Sequence, residues 1–107
     1  MWWIFIPIVI IGGTAITYFW DDIVNKFISW LNSRGLKVSS VRRAIAIFDK
    51  INVSMQRMVR ITLKLELKNN YRPQTVETLY YSIDEIDDPD VINELMRRNT
   101  VTYTVKL

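Results

Sequence analysis

Neither cysteine nor histidine occurs anywhere in the chain. Without cysteine there is no disulfide framework, no thiolate metal site and no thiol nucleophile. Without histidine, the commonest general base and the commonest transition-metal ligand are missing together, which leaves carboxylates, hydroxyls, lysine and tyrosine for any chemistry. No serine or threonine can be matched to an activating imidazole. Glycine is confined to Gly12, Gly13 and Gly35, so a glycine-rich phosphate loop is excluded. These gaps argue against an enzyme, and no catalytic, cofactor-binding or metal residue is assigned.

Charge is missing from the first twenty residues, MWWIFIPIVIIGGTAITYFW, and begins abruptly at Asp21-Asp22. At about 1.5 Å per residue, a helix over that stretch covers roughly 30 Å, the thickness of a bilayer's hydrocarbon core. Residues 1–20 are therefore expected to form a transmembrane helix. Trp2 and Trp3 at one end and Tyr18 and Trp20 at the other match the aromatic belts found at headgroup level, and Trp30 is a further candidate for that interface. Gly12 and Gly13 make a small-residue patch at mid-membrane, read evenly as a helix-packing contact or as glycine tolerated against lipid. A cleaved signal peptide does not fit, because no lysine or arginine precedes the run and bulky Tyr18-Phe19-Trp20 closes it.

The flanking charges set an expected orientation. Lys26, Arg34, Lys37, Arg42 and Arg43 form a basic juxtamembrane group, which places the C-terminal domain on the cytoplasmic side, or facing the capsid in a lipid-containing virion. Farther along, the net charge of +3 hides an uneven distribution: Arg34 to Arg72 carries a local balance of +8, and Pro73 to Leu107 one of −4. A basic segment after a span attracts anionic headgroups or an acidic protein, with a solvated sheet face as the bland reading and nucleic acid ranked last.

Three segments follow from the periodicity: a transmembrane helix over 1–20, a juxtamembrane amphipathic helix over 21–35 and one small domain over 36–107. Ile23, Val24, Phe27, Ile28 and Leu31 recur at helical spacing, and Gly35 supplies a stop. Beyond it the period changes to two. Val41, Ile45, Ile47, Ile51 and Val53 share one parity, and Val59 to Leu67 alternates almost without fault with charged or polar residues. These spacings predict strands with one wet face, a turn at Asp49-Lys50, and a bulge or second turn at Gln56-Arg57. Residues 44–56 also admit a helix, though strand is the better fit. Asn69 to Pro73 reads as a loop, Thr75 to Ile83 as the hairpin partner of the strand before it, and Val101 to Leu107 as a last strand.

Asp88-Pro89-Asp90 has the order of N-cap, N1 and N2 for a short helix running to Arg98. The crowded carboxylates Asp84, Glu85, Asp87, Asp88 and Asp90 lack the glycine and terminal glutamate of a calcium loop, and helix capping explains them better than a cation site. Tyr71, Tyr80 and Tyr81 offer rings for base stacking, but no RNA-binding sheet motif accompanies them, and packing is the better account. The expected fold class is α+β: an N-terminal transmembrane helix continuing into or followed by an amphipathic helix, then a small antiparallel β-rich domain with one short helix near the C-terminus. The expected role is a non-enzymatic, single-pass membrane anchor that holds partner proteins near a bilayer. Such an anchor would be a subunit of a large membrane-containing assembly, with a homo-oligomer open to it. The rival is a small membrane regulator, inhibitor or toxin that binds a host membrane protein.

Overall fold

The computed structural model describes residues 5–9 and 18–107, and these form a two-layer α+β fold. Its elements in chain order are β1 (Phe5–Val9), α1 (Tyr18–Ser33), β2 (Val41–Val53), β3 (Gln56–Leu67), β4 (Asn70–Ser82), α2 (Pro89–Arg97) and β5 (Thr100–Val105). One sheet contains all the strands in the order β1-β5-β2-β3-β4. Four of them, β5 to β4, are antiparallel neighbours, whereas β1 lies parallel to β5 at the edge.

The sheet starts from β3. Val59, Ile61, Leu63 and Leu65 are fully buried on one face, as their alternation requires. The connection to β2 is a two-residue turn at Ser54-Met55, both with positive φ (51° and 67°), the left-handed geometry that matches the twist of a hairpin. That turn pairs Val53 with Gln56 and Phe48 with Ile61, so odd positions on β3 oppose even positions on β2. The inward residues of β2 are consequently Ala44, Ala46 and Phe48, while Ile45 and Ile47 fall on the other face, half-buried. The parity expected for β2 is thus reversed by the turn. The turn expected at Asp49-Lys50 does not form either: β2 runs straight through it as a 13-residue strand. There Asp49 accepts from Thr100 Oγ1 (2.7 Å) and meets Arg60 (3.4 Å) on neighbouring strands.

At the other end, β3 turns back through Lys68 and Asn69, and β4 begins at Asn70. The loop expected over Asn69 to Pro73 is therefore mostly strand. Pro73 is accommodated because β4 is an edge strand, where a missing N–H breaks no ladder.

Both helices cover the same sheet face. α1 presents Ile23, Phe27 and Leu31, each at most 1% exposed, and α2 presents Val91 and Leu95. Fully burying a side chain of this size is worth about 1.5–3 kcal/mol, so each of these residues contributes to the adhesion of the helical layer, as do Phe19 and Trp20 at the start of α1. α1 ends as its sequence directs. Gly35 takes φ +66°, with Leu36 N–H donating to Leu31 O (2.9 Å) and Gly35 N–H to Asn32 O (3.1 Å), the paired bonds of a Schellman stop. α2 starts as expected, with Asp88 Oδ1 accepting from the Asp90 N–H at 3.0 Å and Pro89 in the first turn.

The N-terminal stretch differs most from expectation. Phe5–Val9 is a strand, with Phe5 beside Thr102 and Val9 beside Val105, and α1 begins at Tyr18 within the expected span. Phe19 and Trp20 are 4% and 3% exposed, enclosed by the domain's own core. No helix among the described residues is long and apolar enough to cross a membrane.

Candidate functional site

The aromatic centre of the core joins the elements. Trp20 lies 5.4 Å from Tyr103 and Phe19 lies 5.5 Å from Tyr81 between ring centroids, both edge-on, and Phe48 contacts Phe19, Trp20 and Tyr103. The indole N–H of Trp20 donates to Asp88 Oδ2 at 2.7 Å. Asp88 thereby ties the start of α1 to the start of α2 while capping the latter. On the α1 rim, the Tyr81 hydroxyl donates to Asp22 Oδ2 at 2.6 Å. Burial, then the Asp22 bond, raise the Tyr81 phenol far above its ordinary value near 10. Burial does the same for Tyr103, reinforced by the charges of Asp88, Glu94 and Asp90.

The basic segment is folded in half. Because Val41 lies beside Leu67, Ala44 beside Val105 and Leu67 beside Asn70, one end of the sheet gathers Arg42, Arg43, Lys68, Arg72 and Lys106. Lys37 lies just before β2 and Arg34 just after α1, at the same end. Lys50 and Arg57 are carried to the opposite end by the length of the hairpin, where β4 ends and Asp84 and Glu85 follow it. The basic run read along the chain is thus divided, most of it gathered at one end of the sheet and Lys50 and Arg57 at the other.

At the cationic end sits Glu66, 5% exposed. It accepts from Arg43 Nη2 at 2.6 Å and from Arg42 Nη1 at 2.8 Å. Simple alternation would send consecutive arginines to opposite faces. Here the register shifts between Val41 and Arg43, a bulge that lets both guanidiniums reach one carboxylate. Arg43's hydrogen bond, followed by the fields of Arg43 and Arg42, outweighs burial and holds the Glu66 carboxyl below its ordinary range.

The other expected residues are placed as follows. Trp20 is in the core. Trp30 is half-buried, with the Arg34 guanidinium 4.0 Å above its ring centre, a cation–π contact. Lys26 reaches Glu77 at 3.7 Å and Lys37 is exposed. Tyr18 opens α1, whereas Trp2, Trp3, Gly12 and Gly13 lie outside the described residues. Tyr80 and Tyr81 fall on opposite faces of β4, so they do not make a common stacking platform. Glu85 accepts from the Ser82 N–H (2.8 Å) and Asp88 is occupied twice, so these two acids cap turns. Among the described residues no carboxylate group is arranged to hold a metal ion.

Two features were missed in the sequence. One is the sheet face that neither described helix covers, a row of Thr62, Thr78, Thr102 and Thr104 flanked by Ile45, Ile47 and Lys64, in which Thr102 is buried. The other is a hollow of about 570 Å³ between α2 and the β2–β3 hairpin, walled by Ile51, Met58, Ile83, Ile92, Leu95 and Met96 and edged by Lys50 and Arg57. Both depend on pairings that local patterns do not encode. Comparisons with protein-family models, curated proteins and solved structures find no match to this chain.

Proposed function

We propose that this chain is a non-enzymatic membrane anchor and assembly protein: its uncharged N-terminal run enters a bilayer, and its domain holds partner subunits beside that surface. What carries the reading is an alignment of charge and hydropathy. Val9 pairs with Val105, next to Lys106, so the uncharged run joins the sheet at its cationic end. There Arg34, Lys37, Lys68 and Arg72 face outward, and each base held near anionic headgroups contributes about 1 kcal/mol.

The burial of Phe19 and Trp20 shortens the lipid-seeking stretch to residues 1–17. As a helix these span about 26 Å, the short end of what crosses a bilayer. Pairing with β5 and insertion into lipid are exclusive uses of the Phe5–Val9 backbone, so the membrane-bound chain leaves the β5 edge open to a partner strand. With the domain on the cytoplasmic side, or facing a capsid, that edge is what it offers to an assembly.

Flotation with vesicles tests the reading. The full chain is expected to float with phosphatidylcholine vesicles, to float more completely when phosphatidylserine is added, and to resist alkaline extraction. Deleting residues 1–17 should abolish flotation, and Lys37→Glu with Lys68→Glu should remove only the phosphatidylserine increment. A full chain that stays at the bottom of the gradient would refute the anchor.

A further inference from the structure

The end of the domain remote from the cationic pole has a surface of its own. Met96, 75% exposed, lines the hollow between α2 and the hairpin, and Val53 and Met55, 47% and 100% exposed, add apolar area at the adjoining hairpin tip. Met55 stands at the hairpin tip, held outward by the left-handed pair it forms with Ser54. A long, unbranched thioether is well suited to filling an irregular cavity, yet none of its own chain covers it.

The charges around this surface complement one another without meeting. Lys50 and Arg57 edge the hollow and have no ion pair or side-chain hydrogen bond among the described residues. Asp84, exposed on the turn before α2, shares a second depression with Arg57 but lies beyond ion-pair distance from it. The same end of the domain therefore carries unpaired cations at the edge of the hollow and, in the neighbouring depression that Arg57 also lines, an unpaired carboxylate.

We propose that this surface is a two-fold interface between copies of the chain, in which Met55 of each copy enters the other's hollow and Arg57 and Lys50 of each face Asp84 of the other. A two-fold axis requires a self-complementary patch, with each contact made twice. The patch meets that requirement because the anion its cations lack is carried by the same patch, and no foreign partner has to supply it. The contact lies at the pole opposite the attachment of the N-terminal run, so it does not depend on the membrane reading.

Charge exchange tests the proposal, with the full chain in detergent micelles and the protein mass read by light scattering. The wild type is expected to reach dimer mass and to shift towards monomer as salt rises, since exposed pairs are screened. Arg57→Glu and Asp84→Lys should each weaken dimerisation about tenfold or more. The double variant carrying both should recover it, because the exchanged charges meet again across the axis. Both residues are exposed, and unchanged circular dichroism would establish that the fold is kept. Recovery cannot arise from misfolding. A wild type that is monomeric throughout, or a dimer indifferent to both single variants, would overturn the proposal; the latter would place self-association in the uncharged N-terminal run instead.

Discussion

Glu66 and its two arginines make an asymmetric prediction. The carboxylate is 5% exposed, whereas the side chains of Arg42 and Arg43 remain 51% and 41% exposed. Removing the carboxylate leaves two guanidiniums that water can reach; removing the guanidiniums leaves a shielded negative charge without a counter-ion. Arg42→Met with Arg43→Met keeps aliphatic bulk over Glu66 and deletes the positive charge. Breaking a buried pair from one side costs about 3–5 kcal/mol. Because the two arginine partners are themselves about half exposed, so that water can take up part of the space they leave, about 2 kcal/mol is expected here. Glu66→Gln alone should cost only about 1 kcal/mol, and adding it to the double arginine variant should restore stability rather than lower it further.

The pH dependence carries the sign. In the wild type the arginines hold the Glu66 carboxyl below its ordinary value of about 4.5. Its contribution is therefore present above that value and is lost as pH falls through the depressed folded pKa. In the double arginine variant burial acts alone and raises the carboxyl, so protonation on acidification relieves the folded state and the gap to wild type narrows from pH 7 to pH 4. Urea unfolding of the full chain, followed by circular dichroism at both values, measures this. A gap that stays constant, or Glu66→Gln failing to rescue the double variant, would refute the assignment of Glu66 as a shielded, arginine-stabilised charge.

Two further outcomes follow from the core and the hairpin. Trp20→Phe should destabilise by about 2 kcal/mol and Asp88→Ala, which also loses the α2 cap, by about 2.5 kcal/mol, and in a double-mutant cycle they should couple by about the value of one charge-assisted hydrogen bond, about 1.5 kcal/mol, read from thermal or urea unfolding. Replacing Ser54-Met55 with Asn-Gly should raise stability by about 1 kcal/mol, because both positions have positive φ that serine and methionine adopt at a cost; an unchanged unfolding midpoint would count against the left-handed turn.

The sequence by itself determined whatever depends on neighbouring residues. The alternation of Val59 to Leu67, the Gly35 stop and the Asp88-Pro89 start are written in local spacing, because strand period, left-handed backbone and capping act within a few positions. Only the tertiary structure decided which face of β2 points inward, since a two-residue turn without glycine or asparagine sets that register. It also decided that Arg42 and Arg43 share one carboxylate, and that Lys50 and Arg57 part company with the other bases. Trp20 and Phe19 mark the boundary between the two kinds of information. An uncharged run states that its residues leave water, but lipid and a protein core exclude water alike, and the choice between them rests on contacts with Phe48, Tyr103 and Asp88 that lie far away in the chain.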